Sequence, residues 1–423
     1  MMADQQRLAQ LYAEITHHLE QGIIPFWLTR AWDVDYGGFL TNFDEDGRAL
    51  DTPEKYLNTQ ARLVWWFSAL FRRYPARSEF SDLARRGVDF LLAHFWDDVH
   101  GGWTWKIHRD GRRLDDGKVV YGQSFAIYAL SEYALATGDP RGLSYAGQTF
   151  DLLQKYCADT RYGGYYENLE PDWMVSAPGF CAGDRKGLDT HMHLMEAFTT
   201  LYAASGLEIH RRKLLEVLDL IAYAMIDPVT GCGRNQFTLD FTPIPAIAIR
   251  RTWNAEREGD APAVPTDTTS YGHNVELAWL MRRALQTAQA DPAPYTPAMR
   301  RLVEHACDHG VDWELGGIYR DGTASSGPLI KDKEFWQNAE VLIGFLDAYE
   351  AFGDARFLEA FENVWRFVTT SMIDHEVGEW RTLLDRTGQP IDPKIGNPWK
   401  VAYHSGRSML ECSLRLALLC HVV

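Results

Sequence analysis

One short pattern recurs along the chain: an acidic residue, a glycine pair, then an aromatic or branched side chain. It reads WDVDYGGFL at 32–40, WDDVHGGWTW at 96–105 and DTRYGGYYE at 159–167. Weaker copies stand at 227–233 (DPVTGCG), 312–319 (DWELGGIY) and 374–380 (DHEVGEW). The six copies are spaced by roughly 60–85 residues, longer than the common solenoid repeats. The constraint is nevertheless that of any repeat: equivalent units stack and bury a shared core.

Two helical stretches separate successive copies. TQARLVWWFSALFRRY (59–74) and FSDLARRGVDFLLAHFW (80–96) follow the first, and YGQSFAIYALSEYALATG (121–138) and GLSYAGQTFDLLQKY (142–156) follow the second. Apolar residues return at three- and four-residue steps, the period of a helix and not of a strand. Gly followed by Asp in ATGDP and AFGDA supplies stop signals. Six hairpins joined by Gly-Gly turns predict an all-α chain, a single (α/α)6-barrel domain over 1–423, with short β-hairpin-like loops at one end. The Pro-rich stretch at 241–266 is expected to be a long surface loop or a short β excursion.

The net charge of −16 repels phosphate backbones and anionic lipid, which argues against nucleic acid and membrane partners. A neutral small molecule suits such a chain, as a monomer or homodimer. The 15 Trp, 19 Tyr and 20 Phe supply a large core and stacking surfaces for a sugar. The six cysteines form no CxxC pair and read as free thiols of a reducing, cytoplasmic compartment. The segment MMADQQRLAQLYAEITHHLEQG lacks the apolar centre of a signal peptide, and no uninterrupted apolar run reaches ~18 residues. Without a GxGxxG, GxxxxGK[ST] or GxSxG signature, neither a nucleotide cofactor nor a serine nucleophile is expected.

Polar side chains embedded in the apolar helices mark candidate site residues. His273 and Glu276 share a helix face in SYGHNVELAWL, with Trp279 one turn on. Asp189, His193 and Glu196 fall at i, i+4 and i+7, whereas His191 lies about 200° away from His193 and faces elsewhere. His404, Arg407 and Glu411 fall at i, i+3 and i+7, Trp336 and Glu340 are one turn apart, and Arg62 is a lone cation in an apolar run. Tyr121 opens its helix.

Two histidines on opposite sides of a substrate can take a proton from one face of a carbon and return it at the other, which is what epimerisation beside a carbonyl needs. Arg62, His193 or Tyr121 would then face the developing oxyanion. Three rival uses remain open. His193, His273, His404 and Glu276 could meet around a metal, although the i, i+2 pair in HMH diverges and no HExxH is present. Glu276, Glu340 and Asp189 could supply the two carboxyls of an inverting glycoside hydrolase. A non-catalytic sugar-binding scaffold is the third.

YGQSFAIYALSEY, DTHMHLMEAFTTLY, SYGHNVELAWL, KEFWQNAEVLIGFLDAY and WKVAYHSGR, in this order, resemble the N-acylglucosamine 2-epimerase superfamily, and among its members look most like the cellobiose 2-epimerases. The resemblance spans nearly the whole chain. It implies an (α/α)6 barrel and cofactor-free, metal-free epimerisation at C2 of a reducing-end glucose in β-1,4-linked disaccharides through a cis-enediolate. Mannose 2-epimerases and mannose isomerases of the same superfamily are the alternative. By this resemblance His273 and His404 are the acid/base pair. His193 and Arg62 contact the O1/O2 region, Glu276 orients His273 or holds a hydroxyl, and Trp336 and Trp399 stack on the sugar. Tyr121, Asp189 and Glu340 complete the pocket. The chain departs from the cellobiose pattern at Asn274, Phe335, Asp189 and Ser405, positions that bear on substrate choice and not on the proposed bases.

Overall fold

Both glycines of the repeated turn have left-handed backbone. Gly37 and Gly38 have φ of 76° and 69°, and Gly101–Gly102, Gly163–Gly164 and Gly316–Gly317 follow suit. A side chain would be strained there. The turn closes a one-bridge hairpin, Trp32 against Phe39 in the first copy and Trp96 against Trp103 in the second. Its opening aspartate holds it: Asp33, Asp97, Asp159, Asp227, Asp312 and Asp374 each accept, through Oδ1, the N–H two residues on.

The computed structural model describes residues 2–251, 268–325 and 327–420. Helix α1 (Met2–His18) runs through one π-helical turn into α2 (Ile24–Arg30). There follow α3 (Leu57–Arg73), α4 (Ser78–His94), α5 (Val120–Thr137), α6 (Pro140–Leu152), α7 (Leu188–Ser205) and α8 (Glu208–Leu220). The last five are α9 (Tyr271–Ala288), α10 (Thr296–His305), α11 (Phe335–Phe352), α12 (Ala355–Phe367) and α13 (Ala402–Leu419). The four stretches foreseen between 59 and 156 are α3 to α6, with their ends displaced by a few residues.

The odd-numbered helices from α3 to α13 form a closed inner ring, α3 on α5, α5 on α7, α7 on α9, α9 on α11, α11 on α13 and α13 on α3. Outside it, α4, α6, α8, α10 and α12 pack on the inner helix preceding them, and α1 packs on α13. This is the (α/α)6 barrel expected from six copies of the turn. The two rings differ as burial requires. Helix α4 buries a stripe through Phe80, Leu83, Ala84, Val88 and Leu91, whereas α5 is buried continuously from Gly122 to Tyr133. The Gly-Asp stops work in pairs. Gly138 and Gly353 end inner helices in the αL conformation, and Asp139 and Asp354 accept the N–H of Arg141 and Arg356 to start the outer ones.

Small antiparallel sheets form a collar around the end where inner helices begin. The strand before an inner helix pairs with one from the next repeat: Glu54–Tyr56 with Lys106–His108, Arg185–Gly187 with Gln236–Thr238, and Thr268–Ser270 with Asp321–Thr323. A bridge between Phe43 and Gly396 closes the collar on itself. Of the Pro-rich stretch, Pro243–Ile244 makes the short β excursion by pairing with Gln236–Phe237. Arg251 then pairs with Asp115 at 2.7 Å. Residues 252–267 lie outside the described residues. All six cysteines are free thiols. Among the described residues no helix is long and apolar enough to cross a membrane.

In five of the six repeats a buried lysine ties the turn to the following inner helix. Lys55 reaches Asp33 at 2.8 Å, Lys118 reaches Asp97 at 2.7 Å, Lys186 reaches Asp159 at 2.7 Å and Lys333 reaches Asp312 at 3.1 Å. In the sixth repeat Lys400 meets Glu379 at 3.4 Å, with both side chains fully buried. Lys186 and Lys333 also donate to the carbonyl of the first turn glycine, Gly163 and Gly316. Removing one partner strands the other charge without water, at a cost of about 3–5 kcal/mol. Lys118→Met is therefore expected to lose about that much stability in urea unfolding, and the Lys118→Met/Asp97→Asn double variant less than the sum of the singles. Additive losses would show that the pair is not coupled.

Candidate active site

The buried lysine also sets a register along each inner helix. Five residues after it stands a polar side chain that bonds back to the same turn. Gln60 accepts the N–H of Phe39, Gln123 that of Trp103, His191 that of Tyr165 and Asn338 that of Ile318. In the fourth repeat, where Thr269 replaces the lysine, Asn274 accepts the N–H of Gly233. Two residues further on, about 200° round the helix, the side chain points to the barrel axis instead. Those six positions are Arg62, Phe125, His193, Glu276, Glu340 and Arg407. His191 thus faces away from the axis as its spacing required, with Nδ1 on the Gly187 carbonyl.

A cavity opens over these axial residues at the collar end. Arg62, Tyr121, Asp189, His193, His273, Glu276, Trp336, Trp399 and His404 all line it, so nine of the ten candidates converge. The tenth, Glu340, is corrected: it is fully buried beneath the cavity and not part of its wall, because its Oε1 accepts from both His404 Nδ1 (2.7 Å) and Arg407 Nη2 (2.7 Å). Glu276 makes no hydrogen bond to His273: its Oε1 accepts from Arg407 Nη2 at 2.7 Å and its Oε2 has no partner among the described residues, which leaves the expected role of holding a sugar hydroxyl. Glu411 lies far from the cavity's chemistry, bonded to Arg283 at 2.5 Å. Sequence reasoning missed the collar's share of the wall, namely Glu334, Phe335, Thr382, Leu383, Asp392 and Asn397. Only KEFW carried a signal for it; Asp392 and Asn397 sit in loop sequence without periodicity. Of the four departures noted above, Asn274 and Ser405 occupy turn-tying positions, and Asp189 and Phe335 reach the cavity.

Each ionisable group has a distinct environment. Both nitrogens of His193 meet carboxylates, Nδ1 on Glu196 at 2.9 Å and Nε2 on Asp189 at 3.2 Å. Burial opposes a charge on His193, but the two carboxylates prevail and hold its pKa up at about 9. Asp189 and Glu196 are correspondingly held down to about 2. His404 goes the other way: burial, then the charges of Arg62 and Arg407, push it well below 6.5. Burial also lowers His273, whose Nε2 stands 3.6 Å from Asp189, beyond hydrogen-bond range. Glu276 is raised to about 8 by burial and by the charge of Glu340 beside it. Two cations and two neutral imidazoles thus share one cavity at neutral pH.

The aromatic walls are fixed. Trp336 packs against both histidines, its ring 4.5 Å from His273 and 5.9 Å from His404. Trp399 packs on Trp105 at 5.8 Å and on Tyr56 at 6.2 Å. Arg62 sits over Phe125 and Tyr403, and donates to the Tyr121 hydroxyl at 2.8 Å and the Trp399 carbonyl at 3.0 Å. Among the described residues no carboxylate lies within ion-pair distance of it.

Two rival chemistries fit this geometry poorly. Glu276, Glu340 and His404 present atoms within 4.8 Å of one another, as a metal site would. The Arg407 guanidinium, however, already donates to both carboxylates and places a positive charge between them. For the Glu276–Glu340 pair the same short separation is below the ~6.5–9.5 Å that an inverting hydrolase needs for its water.

The family model for N-acylglucosamine 2-epimerase matches residues 37–407. The chain belongs to that family. It is a carbohydrate epimerase, an enzyme of the isomerase class. It is 29% identical to a cellobiose 2-epimerase of Bacteroides fragilis, over 95% of this chain and 98% of the relative. The solved cellobiose 2-epimerase of Bacillus thermoamylovorans B4167 is 26% identical and superposes with a TM-score of 0.86, covering 96% of this chain and all of that one. That of Spirochaeta thermophila is 28% identical with a TM-score of 0.85, at 98% coverage of each.

Asp189→Asn removes one of the two carboxylates that hold the proton on His193. The imidazolium of the epimerase persists below about 9 and is lost above it. In the variant, histidine ¹⁵N NMR should show that loss about one pH unit lower or more. An unchanged midpoint would mean that Asp189 does not support the charge.

Proposed function

We propose that this epimerase inverts C2 of the reducing-end glucose in β-1,4-linked disaccharides, converting cellobiose to glucosyl-mannose and lactose to epilactose, with His273 and His404 as the bases. The observation that carries the reading is two uncharged imidazoles packed against Trp336 in one cavity with a doubly bonded His193 cation. The disaccharide specificity rests on the relatives, which are cellobiose 2-epimerases over almost their whole length.

The chemistry follows from the protonation states. His404 donates a hydrogen bond from Nδ1–H to Glu340, which leaves Nε2 as the basic nitrogen. One histidine removes the proton from C2. The C–H electrons become the C1–C2 double bond, and the carbonyl electrons move onto O1. The resulting cis-enediolate carries its charge beside Arg62, the His193 imidazolium and the Tyr121 hydroxyl, which are already oriented before reaction. The other histidine takes up a proton from water and delivers it to the opposite face of C2, as the O1 electrons re-form the carbonyl and the double-bond electrons form the new C–H bond. The first histidine releases its proton to water, so both end neutral. Trp336 and Trp399 offer the stacking surfaces that hold the ring during this exchange. The scheme needs no cofactor.

Incubation with cellobiose, lactose, mannobiose and mannose, followed by chromatography, tests the reading. The C2 epimers of the disaccharides should accumulate, and the product formed in D₂O should carry deuterium at C2. His273→Ala and His404→Ala should each lower kcat by about 10²–10⁴ with the fold intact. Fructose from mannose, with the disaccharides untouched, would make the enzyme a mannose isomerase instead. Either alanine variant at near wild-type rate would defeat the two-base scheme.

A further inference from the structure

Arg407 does not itself line the cavity, yet it bonds three carboxylates at and behind its wall. Its side chain is fully buried on α13, one turn beyond His404. Nη1 donates to Glu196 and to the Tyr403 hydroxyl, and Tyr403 in turn donates to Glu196 at 2.8 Å. Nη2 donates to Glu276 and Glu340, both at 2.7 Å. One planar fork therefore grips Glu196 with one nitrogen and Glu340 with the other. Glu196 is the partner of His193, and Glu340 is the partner of His404.

We propose that Arg407 is the positioning residue that sets the two histidines in opposite charge states, His193 as a fixed cation and His404 as a neutral base. The proposal rests on the roles assigned to these histidines above.

The asymmetry lies in how many anions each ring meets. His193 is held by two carboxylates, and Arg407 satisfies only one of them; Asp189, bonded to the other nitrogen, retains its full pull. His404 has a single carboxylate, and the one Glu340 oxygen it bonds is the oxygen that Arg407 also holds. Glu340 thus accepts a proton-bearing Nδ1 without drawing a second proton onto the ring. The remaining charges around His404 agree. Arg62 from α3 and His193 from α7 oppose a cation there, and Glu196 favours one. Glu276 from α9 is bound to the same guanidinium. Glu379 beneath Ser405 is paired with Lys400. Without the guanidinium, Glu340 would act on His404 as Asp189 and Glu196 act on His193.

Arg407→Lys keeps a positive charge but cannot grip both sides at once. In that variant the acid limb of the kcat/KM–pH profile, where the base gains its proton, should move up by about one unit or more, with KM changed less than about threefold. The double variant Arg407→Lys/Glu340→Gln retains an oxygen for His404 Nδ1–H but no negative charge, so its limb should return toward the wild-type position. A structural role alone would lower kcat and leave the limb in place, and that result overturns the proposal. Histidine ¹⁵N NMR on the resting wild-type enzyme provides a test that no folding defect can obscure. At pH 6 it should show His404 as the neutral Nδ1–H tautomer and His193 as an imidazolium; a cationic His404 overturns the proposal. Inactivity of the wild type on all four sugars would count against the substrate reading only, because the NMR states are read without substrate.

Discussion

The clamp between a buried lysine and the acidic residue of the preceding turn is the contact from which the rest of the geometry follows. Four lysines reach the opening aspartate, and Lys400 reaches Glu379. A buried charge without its partner is costly, so each turn is bound to the strand that starts the next helix. Five residues later the Gln, His or Asn side chain takes the turn's free N–H. Two fixed points on one helix leave it no freedom to rotate about its own axis. The residue two positions on must then face the centre of the ring. The fourth repeat replaces the clamp by weaker bonds: Thr269 donates to the Gly233 carbonyl and Asn274 donates to Thr269, and Asp227 turns to Arg234. That repeat bears His273, which among the described residues meets no carboxylate within hydrogen-bond range.

The barrel was legible because its determinants are local. A Gly-Gly turn needs two positive φ angles, and a buried helix needs its three- and four-residue period; both are visible in a window of a few residues. His193 with Asp189 and Glu196 was legible for the same reason, since one helix face carries all three. Pairings between helices were not. Glu340 looked like a pocket residue, and only the approach of α11 to α13 turns it into the support of His404. Arg407 was noted for its spacing, but its three carboxylate partners come from α7, α9 and α11. The collar residues Asp392 and Asn397 left no trace in the sequence, because the collar is assembled from strands of two to four residues that have no periodicity of their own.

The charge inventory at the axis explains how so many buried ions coexist. Arg62, His193 and Arg407 are the cations; Asp189, Glu196, Glu276 and Glu340 are the carboxyls. Burial and mutual repulsion raise Glu276 to about 8, so at neutral pH a proton stays with the Glu276–Glu340 pair. Three positive and three negative charges then remain, and the axis is neutral before substrate enters. Moreover, all six inner helices begin at the collar end, so their N-terminal N–H groups surround the cavity. Helix N-termini carry partial positive charge and favour an anion placed among them. The proposed enediolate would therefore form where the helix dipoles already favour an anion. Such stabilisation requires no movement of the protein when the charge appears, which is the condition under which fixed dipoles accelerate a reaction.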